Sequence, residues 1–528
     1  MNILFSLIGD KDDDDWISQL LSKFEYDHCA VIFRDPKTAD KSIVGQRYAT
    51  EKFFHAKFKQ ADYSDFSDYM QEAPPVDNEI LEMIAPYQSQ IMWMMERCVS
   101  REYNHRWNDY CKHIRFWNYV LDKLEIDLFV TKVFPHEVYD YIIYILCKIK
   151  KIKYITVFPP SYYKTTYFSE DIYNQLPNFL GDFKILEQIY ADKTENEIEL
   201  TPLIQEMYTY YTGEEDRTPY YMKNQLGEFR NDFLRKLCEN SLFFRFLRSL
   251  KRSDGKNQFA RFCYNMGMRF AFTLKIAINF FSFSSMNNYR IAEGFYTSKV
   301  FREFDSVFRV YKNNISEVDY CKKYIYVPLQ LQPEATSSPL GGVFVDQLLM
   351  IKMLAFYVPK DWVIYVKENP KQAMQSHIVP FDSYRTVSFY EELLQLPNVR
   401  FVSLKEDTYK LTEKAKAVAT LTGTAGLEAI TKGIPCLMFG YSYLQYAPNV
   451  YHIKTNQDCE NAIKSIQDTA ISPDYNKKLK LYFKCLEKYI INTTAELDTI
   501  TDEGEKNIAK SKLADAYYDK ICRIMNIS

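Results

Sequence analysis

Glycine is scarce in this chain. Only 15 of its 528 residues are glycine, which is under half of the usual ~7% share and excludes collagen-like, linker-rich and low-complexity proteins. Six of these glycines nevertheless fall within one hundred residues: Gly341, Gly342, Gly423, Gly426, Gly433 and Gly440. Because glycine has free access to positive φ, we expect this segment to carry tight turns and the functional site.

Paired cysteines, charge of one sign and long apolar runs are lacking as well. The 11 cysteines form no CxxC pair, so neither a zinc site nor a disulfide framework is indicated. A net charge of −3, from 66 basic and 69 acidic residues, argues against a nucleic-acid-binding protein. The apolar stretches Tyr141–Leu146 and Leu274–Phe283 fall short of the ~20 residues of a membrane span, and the N-terminus has no signal-peptide pattern. We therefore expect a cytoplasmic protein, soluble or peripheral on the inner face of the membrane.

The first 186 residues have the pattern of a Rossmann-like domain. Apolar, strand-like runs alternate with helical stretches, and the last two runs flank a helix in a βαβ unit. The predicted strands are Asn2–Ile8, His28–Arg34, Ile126–Val133 and Tyr154–Phe158, and the predicted helices are Asn78–Leu124 and Val138–Lys150.

Residues 320–470 predict a second Rossmann-like domain, because short β-rich runs recur at the spacing that parallel strands with helical crossovers require. Its predicted strands are Tyr324–Leu329, Trp362–Lys367, Val399–Ser403, Ala417–Leu421 and Pro435–Phe439. A ligand is expected at the carboxyl ends of these strands. Helices of residues 471–528 are expected to pack across both domains. The two Rossmann-like domains make the predicted fold class α/β.

Residues 187–319 predict a helical insertion between the two domains. Its stretch 230–275 contains eleven Lys or Arg residues against three acidic ones, interleaved with phenylalanine. We favour a helical segment with a phenylalanine core and a solvated basic face. Contact with an anionic inner-membrane surface is the alternative.

The sharpest motif is the segment 421–429, LTGTAGLEA, where a strand passes through small residues into a helix. Main-chain N–H groups and the positive end of a helix dipole bind an anion, so this turn predicts a phosphate site. The residues concerned are Thr422, Gly423, Thr424, Ala425 and Gly426, with Glu428 one turn later as a ribose ligand. The structural alternative is a tight strand-to-helix turn with a threonine cap.

Two further motifs follow strands of the same domain. Lys367, Glu368, Asn369 and Pro370 end one strand, and Lys367 could neutralise a phosphate or simply be solvated. The loop 330–342, with Gln330 and Glu334, is long and bounded by prolines, which suits a segment facing substrate between domains. Glu334 is its titratable candidate, with an ordinary exposed loop acid as the alternative.

Two features of the N-terminal half complete the candidate list. His136 and Glu137 follow the predicted strand Ile126–Val133, so either could act as a general base, while a helix cap is the plain alternative. The acidic run Asp12–Asp15 is interpreted as a solvated loop, and no metal is assigned to it.

At these motifs the chain resembles the capsule polysaccharide biosynthesis family of bacterial glycosyltransferases, whose relatives include Kdo transferases. The ordered segments 328–334, 366–370 and 422–429 carry the resemblance, with 134–137 as a weaker match. The resemblance implies a GT-B fold, a nucleotide sugar in the second domain and no metal cofactor. Relatives usually carry His-Pro where this chain has Asn369-Pro370, and asparagine cannot carry the histidine's charge.

The resulting hypothesis is a metal-independent glycosyltransferase that extends a surface glycan. Gln330, Lys367, Glu368, Asn369, Pro370 and the Thr422–Gly426 turn would hold the donor. His136 or Glu137 would activate the acceptor, and Glu334 would be a second acid or base. A CMP-activated Kdo-like or nonulosonic sugar is the expected donor on family grounds, and a glycan or glycolipid the acceptor. The alternatives are a CDP-polyol phosphotransferase and a non-catalytic assembly or export partner.

Overall fold

The computed structural model describes most of the chain as two α/β domains. The described residues are 1–98, 103–160, 162, 165–213, 307–332, 334–370, 372, 385–468 and 472–527. The basic stretch 230–275 and most of the predicted insertion lie outside these ranges. Within the described residues, no helix combines the length and the hydropathy of a membrane span.

The N-terminal domain is built on a seven-stranded sheet whose spatial order is β13-β6-β5-β4-β1-β2-β3. The strands are β1 (Ile3–Ile8), β2 (Cys29–Phe33), β3 (Glu51–Phe54), β4 (Leu128–Thr131), β5 (Lys153–Phe158), β6 (Thr166–Ser169) and β13 (Ile490–Ile491). The first five are parallel, whereas β6 pairs antiparallel with both β5 and β13. Strands β2 and β4 are buried along their whole length because helices cover both faces, as their unbroken apolar sequences predict.

The C-terminal domain contains a parallel six-stranded sheet in the order β12-β11-β10-β7-β8-β9. Its strands are β7 (Tyr324–Pro328), β8 (Val363–Lys367), β9 (Val399–Phe401), β10 (Ala417–Thr420), β11 (Cys436–Met438) and β12 (Val450–His452). The chain moves outward from β7 to β8 and β9, then returns to the other side of β7 with β10. The carboxyl ends of β7 and β10 therefore flank the crevice at which sheets of this type bind ligands.

Helices pack on both faces of the two sheets. Those of the N-terminal region are α1 (Lys11–Leu21), α2 (Pro36–Lys41), α3 (Ile43–Arg47), α4 (His55–Phe58), α5 (Ser67–Glu72), α6 (Asn78–Cys98), α7 (Tyr103–Lys123), α8 (Val138–Lys150), α9 (Phe179–Ile189) and α10 (Pro202–Thr212). Those that follow are α11 (Gln347–Tyr357), α12 (Val387–Leu394), α13 (Thr408–Lys414), α14 (Thr424–Thr431), α15 (Asn456–Asp468), α16 (Tyr475–Leu486) and α17 (Glu503–Met525). The single helix predicted over Asn78–Leu124 is thus described as two.

The C-terminal segment returns to the N-terminal domain. Helix α17 packs against α1, where the rings of Trp16 and Tyr517 stack with centroids 4.9 Å apart. Helix α16 packs against α9 and α10, and its Tyr475 hydroxyl donates to the main-chain oxygen of Ile430 in the C-terminal domain. The segment after residue 471 therefore contacts both domains.

The acidic run Asp12–Asp15 is not the solvated loop that the sequence predicts. It forms the first turn of α1, where acids are favoured by the helix dipole. Lys510 of α17 bridges Asp12 and Asp15 at 2.6 and 2.9 Å, and the Asp14 carboxylate accepts from the main-chain N–H of Val44 at 2.9 Å. These carboxylates therefore tie α17 and α3 to α1.

Candidate functional site

The two polar segments after β7 and β10 meet directly. The Gln330 side chain accepts a hydrogen bond from the Thr422 main-chain N–H and donates one to the Thr422 hydroxyl, both at 3.2 Å. That hydroxyl donates in turn to the main-chain oxygen of Thr336 at 2.8 Å. The first and third motifs thus form one surface at the carboxyl edge of the C-terminal sheet, although they lie about ninety residues apart.

The small-residue turn leads into α14 with Gly423 as its N-cap. The Gly423 N–H donates to the Thr420 hydroxyl at 3.3 Å, and a Cβ placed on Gly423 would lie 2.9 Å from that hydroxyl. Thr422, Gly423, Thr424 and Ala425 are all half-buried. The Gly426 N–H donates to the Gly423 main-chain oxygen at 3.0 Å. The N–H groups of Thr424 and Ala425, at the positive end of the dipole, are therefore the ones that an anion could approach.

Most of the six glycines between residues 341 and 440 allow neighbouring atoms to pack closely against the backbone and do not adopt a positive φ. Among the described glycines only Gly342 (φ 55°) and Gly433 (φ 75°) lie in the left-handed region. A Cβ on Gly426 would lie 3.0 Å from the Cys436 sulfur, and one on Gly440 would lie 2.8 Å from the Leu340 carbonyl oxygen. The cluster therefore marks close packing of loops around the crevice.

Glu428 lies one turn into α14, on the side of β7. Burial raises the pKa of the Tyr326 phenol, and the Glu428 carboxylate adds to that effect. Glu428 is half-buried, and the Thr431 hydroxyl donates to its main-chain oxygen at 3.0 Å. Its position at the sheet edge stays compatible with the predicted ribose contact.

Lys367 and Glu368 do not face the crevice in this structure. The Lys367 ammonium is buried and donates to the Glu406 main-chain oxygen at 2.6 Å and to the Thr408 hydroxyl at 2.9 Å. Burial lowers the pKa of Lys367. The Glu368 carboxylate is fully buried and paired with Arg385. Both side chains are thus held inside the domain, in contrast to the direct donor contacts that the sequence predicts.

Asn369 and Pro370 are the first residues of this segment that reach the surface. Asn369 is half-buried and Pro370 is exposed. The Asn369 main-chain N–H donates to the Glu368 carboxylate at 2.8 Å, which fixes the direction in which the loop leaves β8. Of this motif, Asn369 is the residue best placed to meet a ligand.

The loop that contains Glu334 runs along the boundary between the domains. The Glu334 main-chain oxygen accepts a hydrogen bond from the Ser338 N–H at 2.8 Å. The Ser338 hydroxyl accepts one from the Gln90 side chain of α6 at 3.0 Å, in a buried contact. Leu340 packs in the same apolar cluster as residues of α6 and α8. Glu334 is half-buried.

His136 and Glu137 follow the carboxyl end of β4, a central strand of the N-terminal sheet. His136 Nδ1 is 2.9 Å from the Phe134 main-chain oxygen, and Glu137 accepts from the Lys59 ammonium at 2.8 Å. Glu137 is the N-cap of α8, so the capping alternative is realised as well. His55 lies beside them with its Nδ1 2.8 Å from the Tyr139 hydroxyl, and burial lowers the pKa of His55 to about 4.

Several residues of these edges escape sequence reasoning. Lys132 follows β4 and pairs at 2.5 Å with Asp13, whose pKa burial raises. Arg385 follows no predicted strand, yet it anchors Glu368 at 2.8 Å. The sequence offered only an indirect signal for these two residues: a polar group that is buried after an apolar strand needs a partner, but the sequence does not say which residue provides it. Within the described residues, no cluster of three or more His, Cys, Asp or Glu side chains is arranged to hold a metal ion.

The family comparison covers the part of the chain that contains the donor-side motifs. The model of the capsule polysaccharide biosynthesis protein family matches residues 262–449. This match confirms the predicted resemblance over that segment of the chain. No curated protein sequence matches the chain.

Solved structures show distant similarities. The KpsC beta Kdo 2,7 transferase of Thermosulfurimonas dismutans is 10% identical, with 84% of this chain and 97% of that one covered and a TM-score of 0.28. The UDP-GlcNAc 2-epimerase of Methanocaldococcus jannaschii is 9% identical, with 92% and 99% covered and a TM-score of 0.24. The lipopolysaccharide outer core galactosyltransferase WaaB is 10% identical, with 95% and 100% covered and a TM-score of 0.23. At these scores the similarities carry no functional argument.

Proposed function

We propose that this protein is a glycosyltransferase that uses a nucleotide sugar to build a capsule or another surface polysaccharide. The carrying observation is the contact of Gln330 with Thr422 at the carboxyl ends of β7 and β10. This contact lies within the segment that matches the capsule family, at the edge where doubly wound sheets bind nucleotides.

The donor phosphate would lie against the turn from Thr422 to Gly426. Main-chain N–H groups of the first turn of α14 would stabilise the charge that develops on the leaving group, without a protein-bound metal. Asn369 would donate a further hydrogen bond from the neighbouring loop, and Glu428 would accept from the ribose. Lys367 and Glu368 would shape this surface from inside the domain.

The acceptor would enter from the N-terminal domain. His136 or Glu137, at the end of β4, would remove the acceptor proton, and Glu334 would orient the transferred sugar from the loop at the domain boundary. Approach of the two domains would exclude water, which competes with the acceptor for the sugar. On family grounds, the proposed donor is a CMP-activated Kdo-like or nonulosonic sugar.

A thermal-shift panel of CMP, CDP, UDP and GDP tests the donor site. A ligand that binds only the native state stabilises it by about 2.7 kcal/mol at a concentration one hundred times its Kd. We expect at least one nucleotide to raise the unfolding temperature. Absence of a shift with all four would refute the donor site.

Ala425→Asp locates the phosphate. A carboxylate at this first-turn position suits the helix dipole but repels a bound phosphate, so the variant should keep its stability and lose the nucleotide shift. Ser388→Asp, at the corresponding position of α12, is the matched control and should keep the shift. An undiminished shift in Ala425→Asp would place the phosphate elsewhere.

Product analysis then identifies the reaction. A glycosidic bond in the product supports the proposal, whereas a phosphodiester bond would identify a polyol phosphotransferase. The variants Glu137→Gln, Glu334→Gln and His136→Ala test the catalytic assignment. An unchanged surface glycan in all three would instead favour a non-catalytic assembly partner.

A further inference from the structure

Arg385 forms an ion pair deep inside the nucleotide-side domain. Its side chain is 1% exposed and that of its partner Glu368 is 0% exposed, with Nε and Oε2 2.8 Å apart. The guanidinium also lies over the Phe389 ring, 4.7 Å from its centroid. The proposed reaction uses neither charge, so the pair needs another explanation.

The guanidinium joins segments that follow two different strands. Besides Glu368, it donates to the Gln332 side-chain oxygen at 2.5 Å and to the Gln330 main-chain oxygen at 3.1 Å. Gln330 and Gln332 follow β7, whereas Glu368 follows β8. A planar guanidinium with five donors can hold such a set of acceptors in one geometry, which an ammonium cannot.

The Gln330 segment contacts the turn from Thr422 to Gly426, and the Glu368 segment leads to Asn369. The Gln330 side chain hydrogen-bonds the N–H and the hydroxyl of Thr422, while the Glu368 carboxylate accepts from the Asn369 N–H. Arg385 is therefore the common partner of two short paths, one to Thr422 and one to Asn369.

Stability alone is a weak reason for such a pair. Removal of two charges from water costs about as much as their attraction returns, and apolar replacements of buried pairs are often neutral or stabilising. We propose that Arg385 is a positioning residue, which holds the Gln330 segment against the turn from Thr422 to Gly426 and, through Glu368, fixes the direction of the Asn369 segment. What that turn binds rests on the proposed function, whereas the positioning itself does not.

Amide hydrogen exchange of the full chain tests the positioning without a ligand. The variant Arg385→Gln/Glu368→Gln removes both charges together, so no lone buried charge remains, and a glutamine at 385 is too short to reach all three acceptors. We expect exchange across residues 420–428 to become about tenfold faster or more, with α17 unchanged. Arg385→Lys should give a smaller change in the same segment.

Tyr390→Phe is the matched control. It removes one hydrogen bond to Glu368, of 2.6 Å, and changes none of the groups that bond Arg385 in Glu368, Gln330 and Gln332. Its exchange over residues 420–428 should equal that of the unmodified protein. Unchanged exchange there in the double variant would overturn the proposal. Loss of protection in α17 as well would also overturn it, because the pair would then be a general core element.

Nucleotide binding gives the second readout. In the double variant, the Kd for whichever of CMP, CDP, UDP and GDP stabilises the protein should rise about tenfold or more. The KM for the donor should change more than kcat, because the reacting groups stay in place. If no nucleotide stabilises the unmodified protein, the proposed function fails while the exchange result still decides the role of Arg385.

Discussion

Gly440→Ala is the sharpest test of how the loops pack around the crevice. A Cβ at this position would lie 2.8 Å from the Leu340 carbonyl oxygen, 2.8 Å from the Thr422 methyl carbon and 3.0 Å from the Leu421 carbonyl oxygen. Ordinary contacts begin at 3.4 Å, so each neighbour must move by several tenths of an ångström. Two of the three neighbours are main-chain atoms, which cannot rotate away.

The same two carbonyls are held by hydrogen bonds. The Gly440 N–H donates to Leu421 at 3.0 Å, and the Tyr441 N–H donates to Leu340 at 2.8 Å. Overpacking of a filled site costs about 1 to 3 kcal/mol, and we expect the upper half of that range because these bonds must lengthen. Displacement of Thr422 should also weaken nucleotide binding.

Gly181→Ala provides the matched control, since the chemical change is identical. Gly181 lies in α9, and a Cβ there would have no neighbour within 4 Å. Alanine is more favourable than glycine inside a helix by roughly 0.5 to 1 kcal/mol, so this variant should be more stable. Urea unfolding of the two variants should shift in opposite directions. Equal midpoints, with nucleotide binding intact in Gly440→Ala, would refute the packing argument.

Two further predictions concern the N-terminal domain. The pKa of His55 is lowered from 6.5 to about 4 by burial beside Tyr139, so below pH 6.5 the unfolded chain binds a proton that the folded one does not. Relative to His55→Gln, the unmodified protein should lose roughly 2 to 3 kcal/mol of unfolding free energy between pH 6.5 and 4, and parallel pH curves would contradict this. Lys510→Met should cost about 1 to 3 kcal/mol in urea unfolding, because it removes the ammonium shared by two partly buried carboxylates of α1 and leaves Asp12 only its longer pair with Lys506, at 3.5 Å. Lys23 follows the C-terminus of α1, and Lys23→Met breaks its exposed pair with Asp515 of α17. This variant should cost under about 1 kcal/mol, and equal losses would contradict the role of burial.

The sheets were predictable where strands are apolar and buried on both faces. Residues 29–33 and 363–367 were located from such runs to within one or two residues. Strands β3, β6, β12 and β13 were missed, since they are short and all four include half-buried positions. Their strand conformation depends on the neighbouring strand, which local sequence does not encode.

The site was predictable where the topology brings strand ends together. The rule that ligands bind at the carboxyl ends of parallel strands was enough to place Gln330 and Thr422 at one edge of the sheet, whereas their direct hydrogen bonds were not predicted. Arg385 could not be found in this way, because it follows no predicted strand, whereas its partner Glu368 directly follows β8. Burial of Lys367 was missed for a similar reason, since lysine is mostly exposed unless a tertiary partner is present.

The alternation of side chains at the end of β8 explains why ligand contact should begin at Asn369. Consecutive residues of a strand point to opposite faces. Lys367 turns to the Glu406 and Thr408 segment, while Glu368 turns to Arg385, and each face is closed by its own partners. Asn369 is therefore the first side chain after β8 that is only half-buried. Because an amide cannot carry charge, neutralisation of a donor phosphate would depend on the main chain and dipole of α14 more than on this loop.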